Sequence, residues 1–254
     1  MRDRIETFEV RESVRVVAGT RSGDIRVVTG PPGTVTVALD GSSASSYLVD
    51  QVGDVITVES RKRGLITGSV DVLLTVPGTA TLELSCTSGD IEVQGEVQEM
   101  RASVASGDVR ADTVRTMCHV NSASGDITVG TMRDAEINTA SGTVRLGRVE
   151  RNLRLNAASG DVYVDEVGES TRSKVASSTM RIAVFRGSEV RHKAMSGDLY
   201  LGIPPRRTVE LDLTTLSGRL RNRLEKGDGS PSEKLLVISV NAVSGDLNLH
   251  SVAN

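Results

Sequence analysis

Arginine and tyrosine side chains recur at one position of a unit of about 18 residues, and they are the groups in this sequence best suited to bind a ligand. The column comprises Glu92, Arg110, Thr128, Arg145, Tyr163, Arg181, Tyr200 and Arg221. Aromatic rings stack on sugars, and guanidinium groups pair with anionic polymers. Arg145, Tyr163, Arg181 and Tyr200 therefore form a candidate ligand face for carbohydrate or cell-envelope polymer.

A second column, of aspartates, offers the same arginines a structural role. It contains Asp108, Asp126, Thr143, Asp161, Thr179 and Asp198, each two residues before a member of the first column. Arg145 falls on the unit between Asp126 and Asp161. Arg181 falls likewise between Asp161 and Asp198. Exposed diagonal pairs of this kind contribute about 0.2–1 kcal/mol each, so the pattern favours a structural ladder of ion pairs over a ligand groove.

Calcium is the metal that a column of carboxylates suggests. The calcium-binding β-roll has two glycine-aspartate turns in each 18-residue coil, whereas each unit here has one. Thr143, Thr179 and Arg219 also interrupt the aspartate column. The sequence therefore predicts no metal site.

The histidines and cysteines do not form a recognisable catalytic group. His119, His192 and His250 occupy different columns, and none pairs by pattern with a serine or cysteine nucleophile. Cys86 and Cys118 are expected to face inward, two coils and about 9.6 Å apart, which is beyond the reach of a disulfide. We expect two small buried thiols, no cofactor and no enzymatic activity.

Serine-glycine corners mark the units and predict their architecture. The corners are Ser88-Gly89, Ser106-Gly107, Ser124-Gly125, Ser141-Gly142, Ser159-Gly160 and Ser196-Gly197, with equivalents at Ser177, Ser217 and Ser244. With the serine as position 0, apolar residues fall at +3, +5, +8, +12, +14 and +16, which is strand periodicity. Two short strands and two bends fill each unit. We predict an all-β, parallel β-solenoid whose equivalent positions stack about 4.8 Å apart.

Each corner also predicts which side chains face outward. Glycine adopts positive φ without steric cost, and serine and aspartate hydrogen-bond to nearby backbone groups. By strand alternation the corner serine is expected to face inward and the residue before it, at +17, outward. This candidate interface column comprises Ala105, Ala123, Ala140, Ala158, Ala176, Met195, Leu216 and Val243. If the corner breaks the alternation, the column instead belongs to the core.

The regularity of the corners divides the chain into three segments. Residues 1–80 are expected to form divergent first coils and a capping region, residues 81–224 regular coils, and residues 225–254 a loop and a closing coil. A basic turn is expected at residues 60–64 and an exposed loop at 225–233. We expect residues 1–254 to form a single elongated domain.

Composition limits the classes of partner and the compartment. The chain has 254 residues, a net charge of −3 and 30 basic residues spread along its length, so nucleic-acid binding is disfavoured. Only 2% of residues are aromatic, which suits the narrow interior of a solenoid. The sequence shows neither a signal peptide nor 18 consecutive apolar residues, so we expect no transmembrane segment and a cytoplasmic location.

The repeated motifs resemble those of a known family. The Ala-Ser-Gly-Asp-Val/Ile corners between residues 88 and 198, the stretch 202–218 and the closing Val-Ser-Gly-Asp-Leu at 243–247 are similar to the "putative adhesin" β-strand-repeat family. That bacterial family is related to adhesin head GIN domains and has no known function. The resemblance implies a β-solenoid without established catalytic residues.

Three functional hypotheses follow from these patterns. The first is a non-enzymatic scaffold or interaction module whose partner is a protein or a second copy, bound at an open coil end or along the +17 column. The second is a module that binds carbohydrate through the arginine and tyrosine column. An enzyme acting on glycans is the third, and fold alone does not supply such an activity.

Overall fold

The computed structural model describes residues 4–61, 68–224 and 234–252, and nearly all of these residues lie in or between β-strands. One turn of 3-10 helix, Ala44–Ser46, is the only helical element within those ranges. The predicted exposed loop at 225–233 lies outside the described residues, as do residues 62–64 of the predicted basic turn. The chain folds into two compact units, residues 1–130 and 131–254.

The strands are numbered in chain order. Unit 1 contains β1 (Arg4–Glu9), β2 (Arg15–Ser22), β3 (Ile25–Gly30), β4 (Thr34–Asp40), β5 (Tyr47–Val52), β6 (Val55–Ser60), β7 (Asp71–Pro77), β8 (Thr81–Ser88), β9 (Ile91–Val97), β10 (Glu99–Ser106), β11 (Val109–Ser124) and the start of β12 (Ile127–Ser141). Unit 2 contains the rest of β12, β13 (Val144–Val149), β14 (Asn152–Ser159), β15 (Val162–Val167), β16 (Ser170–Ser177), β17 (Met180–Phe185), β18 (Glu189–Ser196), β19 (Leu199–Ile203), β20 (Arg207–Ser217), β21 (Leu220–Arg223), β22 (Lys234–Ser244) and β23 (Leu247–Ser251).

Parallel pairing at a spacing of one repeat builds the regular part of unit 1. Each coil has two strands, and each strand pairs with its counterpart in the neighbouring coil. Strand β10 lies between β8 and β11, with Met100 opposite both Leu82 and Cys118. Strand β9 pairs with the first half of β11, where Ile91 lies opposite Val109. The parallel β-solenoid predicted from the sequence is confirmed.

The first coil of unit 1 does not lie at its end. Strand β2 pairs with β6 on one side and β8 on the other, and β3 lies likewise between β7 and β9. Beyond these strands the pairing becomes antiparallel, in the hairpin of β5 with β6 and in the set of β1, β4 and β7. These antiparallel strands all precede residue 80 in the chain.

Unit 2 also ends in an order that differs from the chain order. Strand β18 pairs with β22, and β22 with β20; strand β19 pairs with β23, and β23 with β21. The coil of β22 and β23 is therefore inserted beside β18 and β19, and the coil of β20 and β21 is outermost. We call this outermost coil, residues 207–223, the last coil.

The core of each unit consists of medium-sized side chains that face the coil interior. Alternation along β14 is typical, since Leu153, Leu155 and Ala157 are buried between half-buried or exposed neighbours. Each interior side chain stacks on its equivalents in adjacent coils, and Val, Ile, Leu, Ala and Met account for most of them. Phe185 is the largest fully buried side chain among the described residues. Apolar burial shared between neighbouring coils is the main stabilising contribution of this architecture.

Gly160→Ala tests the steric requirement of a corner. Gly160 has φ of +101°, and a Cβ there would overlap the carbonyl oxygen of Gly142. Gly33 has φ of +85°, but a Cβ there would meet nothing within 4 Å, so it isolates backbone strain from overlap. We expect Gly33→Ala to lower the free energy of unfolding by about 1 kcal/mol and Gly160→Ala by about 3 kcal/mol or more. Urea denaturation measures both, and equal losses would contradict the steric account.

Candidate functional site

At several corners the aspartate carboxylate accepts a backbone hydrogen bond from the neighbouring coil, which forms a ladder. All the corner glycines from Gly89 to Gly197 that were singled out in the sequence have positive φ, between 101° and 143°. The Asp90 carboxylate accepts the backbone N–H of Asp108 at 2.8 Å, and Asp108 accepts that of Asp126 at the same distance. Asp198 accepts the N–H of Asp246 in the same way in unit 2. These carboxylate oxygens thus have a structural role, and no cluster of three or more candidate metal ligands occurs in the described parts of the chain.

The corner serines face solvent, so the predicted inward orientation is wrong. The exposed serines are Ser88, Ser106, Ser124, Ser141, Ser159, Ser177 and Ser196. The residue before each serine also faces outward, so strand alternation stops one residue before the corner. Except after Ser177, which Ser178 follows, the next residue is a glycine with positive φ, a conformation that does not continue the strand.

The candidate ligand face is packed against itself. Arg145, Tyr163, Arg181 and Tyr200 lie opposite one another on successive strands of unit 2. The guanidinium carbon of Arg181 is 5.7 Å from the ring centre of Tyr163 and 4.6 Å from that of Tyr200, and Arg145 lies 5.8 Å from Tyr163. The two phenol groups donate to Asp161 and Asp198 at 3.2 and 3.3 Å.

These contacts occupy the surfaces that a sugar would need. Guanidinium groups lie near the Tyr163 ring on the strands to both sides, and Arg181 lies near one side of Tyr200. The arrangement is a ladder of cation–π contacts and hydrogen bonds, in line with the structural alternative. Its ligand role stays a prediction. Arg221, the next member by chain order, is not adjacent to Tyr200, because Asn248 of the inserted coil lies between them.

The +17 column faces solvent, as strand alternation predicts. Ala105 and Ala123 are exposed in unit 1. In unit 2, Ala140 and Ala158 are exposed and Ala176 is half-buried. The column there continues with bulkier side chains, since Met195 is 66% exposed, Val243 52% and Leu216 86%. Whether the column forms an interface remains a prediction.

The last coil has incompletely buried inward residues. Val209, Leu211 and Leu213 are only half-buried, whereas Leu236, Ile238 and Val240, directly opposite them on β22, are buried. Within the described residues, β20 pairs only with β22 and β21 only with β23. Arg219 occupies the position of the corner aspartate, and its N–H donates to Asp246 at 3.0 Å. Because arginine offers no carboxylate, the aspartate ladder ends at this coil.

A buried serine-histidine pair lies in the interior of unit 2. Ser173 and His192 stack at position +14, and the serine oxygen is 2.7 Å from the histidine Nδ1. Burial lowers the pKa of His192 to about 4. The inward position of His192 was predicted, but its serine partner was missed, although both residues interrupt the same apolar column. Each of the two residues is only 2% exposed, so the pair is shielded from bulk solvent.

Both cysteines are free and buried, in agreement with the sequence prediction. Burial raises the pKa of Cys118 to about 12 and that of Cys86 to about 11, with Asp24 and Asp90 adding to the effect at Cys86. A buried thiol of high pKa is unreactive because the thiolate is the nucleophile and metal ligand.

Sequence comparison places this arrangement in a family. The Toastrack DUF4097 family matches residues 16–131 and, a second time, residues 118–253. The chain belongs to this family. The two matches overlap at residues 118–131, beside the boundary between the two units of this Toastrack chain. The family resemblance predicted from the sequence is confirmed. No curated protein sequence matches the chain.

Solved structures share the fold at low sequence identity. A "putative lipid binding protein" from Parabacteroides distasonis is 12% identical, with a TM-score of 0.52 over 96% of each chain. A "putative adhesin" from Parabacteroides merdae is 10% identical, with a TM-score of 0.51 over 98% of this chain and 95% of the other. At these identities the likeness shows the fold alone. No helix in the described ranges is long and apolar enough to span a membrane.

Protonation of His192 is expected to destabilise the protein in acid. Its pKa is about 4 when folded and about 6.5 when unfolded, so the neutral imidazole favours folding above pH 6.5. This contribution is lost as the pH falls from 6.5 to 4, by about 3 kcal/mol in total. Urea denaturation at pH 7 and pH 4.5 measures it.

His192→Val is the matched variant, because valine occupies the same column at Val240. It should lose less stability between the two pH values than the unmodified protein. The same loss in both proteins would show that His192 does not titrate in this window.

Proposed function

We propose that this protein is a non-enzymatic interaction module that self-associates through the last coil. The observation that carries the proposal is the incomplete burial of Val209, Leu211 and Leu213, whose partners on β22 are fully buried. Leu220 on β21 is also 45% exposed. An unpaired strand edge with exposed apolar side chains is a template for pairing with another chain.

Charge supports a second copy as the partner. Residues 131–254 contain 18 basic and 15 acidic side chains, whereas residues 1–130 contain 12 basic and 18 acidic ones. Arg219, Arg221 and Arg223 are exposed on the last coil. A head-to-tail arrangement brings this basic coil against the acidic unit 1 of another copy. Such a heterologous contact produces open oligomers rather than closed dimers.

The absence of a catalytic role is part of the proposal. The one serine-histidine contact of the described chain is enclosed in the core, and the conspicuous carboxylates accept hydrogen bonds from the backbone. The family and the two structures named above are associated with adhesins and lipid binding rather than with a reaction.

Sedimentation velocity over a concentration series tests self-association. We expect oligomers that grow with concentration and weaken as salt is raised, because exposed charges are screened. Leu211→Lys places an inward charge on the edge and should weaken association at least tenfold, or by about 1.4 kcal/mol. Leu220→Lys, at an already exposed side chain, should act in the same direction and with less effect on folding.

Two control variants separate the last coil from other apolar positions. Val28→Lys changes an exposed residue of β3, a unit 1 strand that is paired on both sides, and Ala140→Lys changes the +17 column. Both should associate like the unmodified protein. A monomer at every concentration, or unchanged association of folded Leu211→Lys and Leu220→Lys variants, would refute the proposal. Loss of association in Ala140→Lys alone would assign the contact to the column.

A further inference from the structure

Two rows of cations lie on the outward side of β14, β16 and β18. Arg154, Arg172 and Arg191 are in register across the three strands. Two residues further along, Lys174 and Lys193 are in register with each other and with Asn156. All five cationic side chains are exposed. Because neighbouring strands lie about 4.8 Å apart, like charges are brought close together on one sheet surface.

Acidic neighbours compensate this charge only in part. Glu189 is 3.6 Å from Arg172 and 2.6 Å from Arg191, and Glu136 on β12 is 3.8 Å from Arg154. Neither lysine has an ion-pair partner among the residues that the structure describes. The outward side chains of β14, β16 and β18 together carry five positive charges and one negative charge. Like charges stacked across strands destabilise a sheet, so an anionic ligand would relieve the repulsion.

An apolar row runs beside the cations on the same surface. It is the unit 2 part of the +17 column, which lies two residues beyond the lysine row on each strand. Toward β20 the side chains enlarge from alanine to Met195, Val243 and Leu216. We call the cations of β14, β16 and β18, together with this row, the basic-apolar face. At its margin toward the last coil, Asp212 is the acidic side chain in the arginine column, with Ser239 between it and Arg191.

We propose that the basic-apolar face binds the surface of an anionic lipid membrane. Lysine and arginine attract lipid phosphates, while apolar side chains enter the boundary between headgroups and acyl chains. A soluble anionic polymer would pair with the cations but would leave Met195, Val243 and Leu216 in water. A membrane surface accommodates both rows at once. Charge complementarity and the adjacent apolar row together therefore favour lipid as the occupant.

This surface differs from the edge used in the self-association proposal. The cations are located on the outward side of β14, β16 and β18, whereas association uses the inward residues and the outer edge of the last coil. Leu211→Lys therefore changes the edge while it keeps every side chain of the basic-apolar face, of which Leu216 alone lies on the last coil. Its membrane binding is measured alongside, so that failure of one proposal does not hide the other.

Vesicle co-sedimentation is the direct test. The full chain is mixed with vesicles of phosphatidylcholine alone, or of phosphatidylcholine with about 30% phosphatidylglycerol. We expect binding to the anionic vesicles only, weakened by raised salt. Lys174→Gln with Lys193→Gln should lower the partition coefficient about 25-fold, since each basic residue near such a surface contributes about fivefold.

Matched variants distinguish this face from general charge or hydrophobicity. Arg148→Gln with Arg186→Gln removes the same charge from another side of the coils. Arg148 lies on β13 and Arg186 directly follows β17, and they pair with Glu166 at 3.6 and 3.2 Å. Met195→Ser with Leu216→Ser removes the apolar contribution, with Val52→Ser as its control. The Lys174→Gln/Lys193→Gln variant and the Met195→Ser/Leu216→Ser variant should each bind anionic vesicles less tightly than the unmodified protein. The two control variants should bind as the unmodified protein does.

The contrary outcomes are equally specific. No binding to anionic vesicles, equal binding to neutral vesicles, or unchanged binding of the lysine variant would overturn the proposal. Binding that depends on the lysines but not on Met195 and Leu216, together with equal retention on soluble polyphosphate, would reject a membrane and identify a soluble anion. Loss of vesicle binding in Leu211→Lys alone would show that binding depends on assembly rather than on this face.

Discussion

The close stacking of corners is the constraint on which the structure depends. The carbonyl oxygen of one corner glycine occupies the space where the next would carry a Cβ, and the aspartate carboxylate accepts the N–H of the following coil at 2.8 Å in the pairs Asp90–Asp108 and Asp108–Asp126. These contacts fix the register between coils. Because side chains alternate along a strand, a slip of one residue would reverse every outward and inward column. The surfaces of each unit are therefore consequences of the corner.

The same ladder explains how the coils end. In unit 1 the aspartate furthest from the regular coils is Asp71, which accepts the N–H of Asp24 at 2.9 Å, and antiparallel strands follow. In unit 2 the outermost corner has Arg219 where the other coils have aspartate or threonine. A further coil stacked there would lack a carboxylate acceptor. The aspartate hydrogen bonds therefore stop at the last coil. The inward apolar side chains of this coil remain half-buried, which makes a contact with another molecule favourable.

In unit 2, the repeated columns on the two outward sides of the coils differ in how their charges are balanced. In unit 2, one side of the coils contains Tyr163 and Arg181, which satisfy each other. The other contains Lys174 and Lys193, which have no ion pair in the described structure. The contrast is physical: alternating rings and guanidinium groups attract along a column, whereas identical charges repel. Exposed apolar side chains lie at the edge of the last coil, and the two lysines lie beside exposed apolar side chains on the basic-apolar face.

The sequence by itself determined the solenoid, its repeat and the outward or inward direction of most columns. Positive φ at Gly160 and strand alternation are local requirements that one unit already expresses. Only the tertiary structure decided which coils become neighbours: it inserted β22 and β23 beside β18 and β19, separated Arg221 from Tyr200, and joined Ser173 to His192. These contacts depend on which coils pack together to bury their apolar surface. Because the units are nearly identical in sequence, the repeat does not specify which coils become neighbours. The sequence also predicted the wrong orientation for the corner serines. The backbone turns at each corner, so strand alternation no longer predicts which side of the coil a side chain faces.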